Sequence, residues 1–464
     1  MFNPLPFRTL SRSPLRPALL AAGMLLAAPL PVSAAETGAP APLPVAAAEK
    51  DGPAALRAAV VELASGDFKS FYAHREQPLW VAADGSLRPA ARELVQLIRT
   101  AELDGLDPLE LRASELEAAV RRAQFDRSPE ALAQAELELS TALARYVAAM
   151  RSLPAGTDMI YEHPVLRPFE PTATTVLQLA ADAGSLEGYV TGMHWMHPLY
   201  AQIRQQLTDG AADPALRQAA LSSLHRLRAI PAAPWSRHVV IDIASARLWM
   251  YEGDRAVDSM RIVVGKPDTP TPMMAGYIRQ AVLNPYWNVP EHLVRQTIAR
   301  GVLNQGVRYL RVRGYEVLAD WSDNPERVDP TTIDWRAVSR GELEVRVRQN
   351  PGSLNAMGTV KYEFPNPEGI YLHDTPDKNL LLEEARQFSN GCIRLEDADR
   401  LGRWLLGGDL PEPGSEPEQR VDLSQPVPIY ITYLTVQPDV GRLALGTDPY
   451  QRDGVGHSTL ARVH

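Results

Sequence analysis

The 464-residue chain is predicted to be an α+β protein: a helical N-terminal domain, then a β-rich domain carrying an inserted lid. Three observations point there. Apolar residues recur at helical spacing through residues 54–230. After Pro234 the texture changes to short runs rich in Val, Ile and Tyr. A stretch at 301–340, dense in charge and holding Tyr309, Tyr315, Trp321 and Trp335, is too long for a simple connection between such runs.

Residues 1–34 read as an export signal. Arg8, Arg12 and Arg16 make a basic start, 18–30 is almost wholly apolar, and Val32-Ser33-Ala34 offers small residues for cleavage. An uncleaved anchor is disfavoured, because the apolar run contains Pro29 and falls short of the ~20 residues a spanning helix needs. The expected location is therefore periplasmic, with no membrane span after cleavage. Residues 35–53 are rich in Ala and Pro and form the expected tether.

The helical scaffold domain is expected over 54–230. Ser114-Glu115-Leu116-Glu117 has capping-box spacing, Ser128-Pro129 supplies an N-cap followed by proline, and Asp213-Pro214 opens a further helix. Leu132, Leu139, Leu143, Val147 and Met150 form one apolar stripe, read as core. The β-rich domain follows over 235–437. Residues 238–243 and 247–251 read as a hairpin, with more strands at 261–264, 277–283, 344–348, 369–373 and 427–433. Helices are expected at 291–300 and 396–406. Residues 438–464 are expected as a C-terminal tail, frayed from Gly446 onward.

Composition excludes several classes. The acidic balance, a formal net charge of -9, argues against nucleic acid or an anionic membrane surface as partner. His194 and His197 lie three apart with no partner cluster, so no metal is expected, and no cofactor.

Cys392 is the only cysteine. In an exported protein a lone thiol is an inert core residue, an intermolecular linker or a working nucleophile. A thiol with a pKa of ~8.5 needs a base or cation nearby to react at neutral pH. His373 ends the apolar run Gly369-Ile370-Tyr371-Leu372 and is the candidate base. Gly391 permits φ > 0, and the amides of Gly391 and Cys392 are candidate oxyanion donors.

His373, a spacer, then Ser389-Asn390-Gly391-Cys392-Ile393-Arg394 resembles the signature of the L,D-transpeptidase (YkuD-like) catalytic domain, whose cysteine enzymes remodel bacterial peptidoglycan. Val263-Val264-Gly265-Lys266-Pro267 with Thr269-Pro270-Thr271-Pro272 resembles the family's glycine and proline turn. Asn284-Pro285-Tyr286-Trp287-Asn288-Val289-Pro290, Phe71-Tyr72 through Leu79-Trp80, and Ala101-Glu102-Leu103-Asp104-Gly105-Leu106-Asp107-Pro108 resemble the large periplasmic members. Two departures stand out. Asn390 occupies a position where many members carry a second His. Between 205 and 230 there is no room for the peptidoglycan-binding module of the large relatives.

The resemblance implies a β-sandwich-like catalytic domain in which Cys392 forms a thioester with a peptide stem and His373 serves as base, then acid. The expected reaction is cross-linking of peptidoglycan stems, 3-3 foremost and 1-3 as an option. An L,D-carboxypeptidase or endopeptidase, D-amino-acid exchange on the same thioester, and a non-catalytic wall-binding scaffold stay open. Arg394 is read either as a clamp for a substrate carboxylate or as a salt-bridge partner of Glu396 or Asp397. Ser389 and Asn390 are candidate substrate contacts, while Tyr371 and Trp287 either line the cleft or belong to the core. The resemblance also places an imidazole-orienting main-chain carbonyl near Asp374, in preference to the Asp374 carboxylate. Protein partners are not legible.

Overall fold

A computed structural model describes residues 52–209, 213–232, 237–322, 324–439 and 441–454. The expected signal peptide and nearly all of the tether lie outside these residues. Among the described residues no helix is long and apolar enough to cross a membrane.

The N-terminal half is helical because its polar groups are answered locally and its apolar stripes face one another. The helix Pro129–Arg151 runs through the centre, with Leu139, Leu143 and Met150 fully buried. Ser128 Oγ accepts from the Ala131 amide at 3.2 Å, and Asp213 caps Pro214–Leu227 by accepting from the Ala215 and Leu216 amides at 2.9 Å. The capping box at Ser114 does not form. The turn from Asp107 feeds directly into Ala113–Asp126 through Arg112 at φ 60, which leaves Ser114 inside the first turn rather than ahead of it.

Two buried carboxylates organise this half. Glu136 accepts from the amides of Leu79, Trp80 and Val81 and from the Tyr72 hydroxyl. Asp104 accepts from the hydroxyls of Tyr146 and Tyr200 and pairs with Arg204 at 2.7 Å. A buried carboxylate is tolerated only when its lone pairs are filled in this way.

The second half is one large sheet that returns on itself. Its order runs Ile160–Tyr161, Met274–Leu283, Gln419–Thr432, Arg237–Asp242, Arg247–Glu252, Arg255–Gly265, Ile393–Leu395, Leu372–His373, Val360–Glu363, and the last strand also pairs with Met274–Leu283. Closure removes exposed edges. The expected hairpin is present, with Val240 opposite Trp249. Asp242 fixes its end, accepting from the amides of Ala244, Ser245 and Leu434 and from Gln437 Nε2.

The helical half docks on this sheet through polar contacts as well as apolar ones. Ile160–Tyr161 adds a parallel strand at Met274 and Ala275, and Glu162 accepts from the Tyr277 amide at 2.8 Å. Arg226 donates to the Tyr433 carbonyl and pairs with Asp453. The expectation of a frayed tail from Gly446 fails for residues 446–454. Tyr450 is half-buried, and its hydroxyl donates to the Gly265 carbonyl at 2.5 Å and accepts from the Thr271 amide at 3.2 Å. A polar, glycine-bearing stretch looked unanchored because its partners lie nearly two hundred residues away.

Between Leu283 and Val360, which face each other in adjacent antiparallel strands, the chain makes a separate subdomain. It holds a three-stranded sheet in the order Trp287–Val289, Arg346–Gln349, Tyr315–Leu318 and the helical segments Val294–Ala299, Arg300–Gln305 and Trp335–Arg340. Val294, Ile298, Tyr309, Trp335 and Val347 form its own apolar cluster. The expected insertion at 301–340 is thus the middle of a larger unit.

Candidate active site

Strand register assembles the site. Leu372–His373 runs parallel to Ile393–Leu395, with Leu372 beside Ile393 and His373 beside Arg394. Alternation along each strand then sends Leu372, Ile393 and Leu395 into the core, where each is 0% exposed, and turns Tyr371, His373, Cys392 and Arg394 to the other face. Sequence spacing of nineteen positions is converted into neighbouring side chains by that one pairing. On the other flank His373 lies opposite Lys361, so a lysine not singled out from the sequence joins the same face. Its signal was the alternation in Val360-Lys361-Tyr362-Glu363, with Val360 and Tyr362 buried.

The Cys392 loop is shaped from within. Gly391 sits at φ 113, a conformation open to glycine, and a Cβ there would meet Ile370 at 3.1 Å. Ser389 is buried, donates through Oγ to the Cys392 carbonyl at 2.5 Å and accepts from the Gly391 amide at 3.2 Å. Within this loop Ser389 Oγ is engaged on both sides and the Gly391 amide has an acceptor, whereas the Cys392 amide has none among the described residues. Thr271 Oγ1 donates to the Gly391 carbonyl at 2.7 Å and accepts from the Gly265 amide at 2.9 Å. Gly265 has no room for a Cβ, which would fall 2.3 Å from the Thr269 carbonyl oxygen. The glycine and proline turn therefore supports the thiol loop, and Tyr450 in turn supports the turn.

His373 is 4% exposed, and its Nδ1 lies 2.5 Å from the Asp374 main-chain oxygen. A carbonyl can only accept, so Nδ1 carries the proton and Nε2 is left with its lone pair. The Asp374 carboxylate is occupied elsewhere, by Lys378 Nζ at 2.7 Å and the Thr359 amide at 3.0 Å. Burial, followed by the Arg394 charge, pushes His373 down to about 4. Burial raises the Cys392 thiol, opposed by the Tyr371 amide and Arg394. At rest the pair is therefore neutral. The Cys392 Sγ lies 3.7 Å from the Gly369 carbonyl oxygen.

Arg394 pairs with neither Glu396 nor Asp397. Glu396 is held by Arg261, and Asp397 caps Ala398–Leu406 by accepting from the Arg400 amide. Arg394 instead approaches Asp377 at 3.5 Å, and the Asp377 side chain is 68% exposed. That long, solvated contact is weak, so an incoming carboxylate can displace it. Asn390 is exposed and accepts from Lys266 Nζ at 3.3 Å. Tyr371 is half-buried beneath Lys361, whose Nζ lies 5.6 Å from its ring centre. Trp287 goes elsewhere: it packs on the apolar cluster of the insertion, 6.4 Å from Tyr315. His194 and His197 diverge, the first against Tyr189 and the second 3.2 Å from His238.

Residues 236–429 match the family model of the YkuD L,D-transpeptidase catalytic domain, and residues 66–207 match a scaffold domain. A putative L,D-transpeptidase of Haemophilus influenzae is 28% identical over 286 residues, covering 59% of this chain and 56% of that protein. The chain thus spans about half the length of this curated relative. Among solved structures, an L,D-transpeptidase from Mycobacterium smegmatis is similar at 13% identity and TM-score 0.22, over 42% of this chain and 58% of the other. The structure of the Ldtfm-avibactam carbamoyl enzyme is similar at 13% identity and TM-score 0.22, over 61% of this chain and 96% of the other.

Proposed function

We propose, from the premise that residues 236–429 are a YkuD-type L,D-transpeptidase catalytic domain, that the chain joins peptidoglycan peptide stems through a thioester on Cys392. The observation that carries this reading is the shared strand face of Cys392, His373 and Arg394, with the His373 tautomer fixed by the Asp374 carbonyl. The role of each group follows from that placement.

Both groups start neutral, so the thiol becomes nucleophilic only as it attacks. Cys392 Sγ bonds to the carbonyl carbon of the L-centre at stem position three while His373 Nε2 takes the thiol proton. The tetrahedral oxyanion is held by the Cys392 amide. Collapse expels D-Ala, whose amine takes the proton back from Nε2, and leaves the thioester. The side-chain amine of a second stem then attacks, passes its proton through Nε2 to sulfur, and the product is a 3-3 link formed without ATP. Arg394 would exchange Asp377 for a stem carboxylate. A donor carbonyl at the first residue would give a 1-3 link by the same steps.

The site belongs outside the cytoplasm, where the polymer is. The insertion leaves the barrel beside Lys361, which neighbours Tyr371, and we assign it the role of a cap that excludes water once two stems are seated. Exclusion of water matters because a thioester meeting water yields a shortened monomer rather than a link.

Incubation with purified disaccharide tetrapeptide, read by mass spectrometry, is the test. The expected product is a dimer lacking one D-Ala; a shortened monomer alone would replace transfer by hydrolysis. Cys392→Ala is expected to remove all product, and His373→Ala to slow turnover by about 10²–10⁴-fold. Product formation by Cys392→Ala would end the assignment.

A further inference from the structure

The helical half contains a cavity of about 610 Å³ that none of the site residues above lines. Its walls include Val176, Leu179, Phe169 and Tyr189, with Phe169 and Leu179 70% and 55% exposed at the rim. Thr175, Tyr189, His194, Arg151 and Trp195 bring hydrogen-bond donors to its wall, and the last two are buried.

The donors of Arg151 and Trp195 are anomalous. Arg151 is 6% exposed, and among the described residues its Nη1 has no hydrogen-bond partner and no carboxylate pairs with it. Trp195 is 5% exposed and its Nε1 also lacks an acceptor. The groups facing the guanidinium are aromatic: the Phe169 ring at 5.7 Å, Tyr161 and Tyr430. The acid at the rim, Asp182, is exposed, accepts from Gln178 Nε2 at 2.9 Å and makes no ion pair with Arg151. Burial lowers the guanidinium only to about 10, so it keeps its charge at neutral pH. The other buried arginines are answered: Arg204 by Asp104, Arg226 by Asp453, and Arg228 by four main-chain carbonyls. A buried cation left without such an answer is costly.

We infer that this cavity is a binding site for a small monocarboxylate with an apolar body, its carboxylate seated on Arg151 Nη1 and Trp195 Nε1 and its body against Val176, Leu179 and Phe169. An anion is selected because the buried guanidinium and the buried indole N–H both lack an acceptor. One charge is selected because Arg151 is the one arginine or lysine that lines the space. An apolar body is selected because Val147, Phe169, Pro171, Val176 and Leu179 make up much of the remaining wall. The class includes N-acylated apolar amino acids and other ligands that end in a free apolar residue.

The test uses N-acetyl-L-phenylalanine and its uncharged amide, titrated calorimetrically into the full chain. The expected Kd for the acid is on the order of 1 mM. The amide should bind at least about ten-fold more weakly, since it offers the guanidinium no charge. Arg151→Met should abolish acid binding, whereas Arg394→Ala, which removes the other candidate carboxylate seat, should leave it unchanged. Equal binding of acid and amide, no binding of the acid, or loss in Arg394→Ala with retention in Arg151→Met would each overturn the inference. Should Arg151→Met not fold, the acid against amide comparison on the unaltered chain decides alone.

Discussion

Cys392 and His373 are both driven to their neutral forms, one upward and one downward from their ordinary values, and this fixes how the thiol must behave with pH. A preformed thiolate and imidazolium pair gives alkylation that is fast and flat across neutral pH. Here the rate with iodoacetamide should instead climb through pH 9 without a plateau between 5 and 8, and at pH 7 it should stay below that of a free thiol. Arg394→Ala should slow alkylation further, because the arginine favours the thiolate. The single cysteine makes the label unambiguous, and a plateau at neutral pH would replace the base-assisted scheme with an ion pair. Cys392 and His373 could be singled out as a candidate pair in the sequence because Cys and His are rare residue types at recognisable spacing, and the strand pairing brings them to one face. The contacts of Ser389, Trp287 and Tyr450 could not be read there. Whether a hydroxyl serves its own loop, whether a tryptophan belongs to a second core, or whether a distal tyrosine reaches back depends on contacts that local sequence does not encode.

Tyr450 shows what such a contact does at the level of elements. It ties the segment 446–454 to the turn after Arg255–Gly265, and Thr271 of that turn holds the Gly391 carbonyl. Tyr450→Phe keeps the ring stacked on Tyr433 and removes only the hydroxyl. The expected result is a loss of about 1 kcal/mol in urea denaturation and a fall in kcat with KM nearly unchanged, because the thiol loop is loosened while the carboxylate clamp is untouched. An unaltered kcat would separate the segment from catalysis. The strands of the hairpin were legible because two runs rich in β-branched, aromatic and other apolar residues flank a short turn. Ile393–Leu395 and Leu372–His373 are too short to carry a period, and their pairing is set by the sheet around them. The insertion was visible as excess length, yet its true bounds follow from the neck, where the Asn284 amide donates to the Thr359 carbonyl at 3.0 Å. A short turn in place of residues 286–357 should leave the remaining sheet folded by circular dichroism and shift product from dimer toward shortened monomer. Unchanged product ratios would remove the cap from the mechanism.

At the scale of the whole molecule the two halves share one core, and a pair of histidines lies in the seam. The Leu199 amide donates to His197 Nδ1 at 3.3 Å, so His197 carries its proton on Nε2 and donates it to His238 Nε2 at 3.2 Å. Protonation of His238 at Nε2 would remove that bond, and protonation of His197 at Nδ1 would remove the one from Leu199. Burial, with His238 adding to it, lowers His197 to about 3, and burial lowers His238 to about 4; His373 stands at about 4. Each of these folded-state values lies below the unfolded value near 6.5, so the stability they confer is complete above about 6.5 and is lost as pH falls toward 4. Asp242 works the other way. Burial raises it to about 6 against its hydrogen bonds, so the folded state gains as that carboxyl protonates. The three histidines outweigh Asp242, and the net loss from these four groups between pH 7.5 and 5.5 should be roughly 3 kcal/mol, lessened by Glu136, whose carboxyl burial also raises. Urea midpoints at the two pH values measure it. Because the seam joins the helical scaffold to the sheet, acid should loosen the catalytic half and the scaffold in one transition rather than two, and a midpoint that does not move between pH 7.5 and 5.5 would show that the buried histidines do not govern the junction.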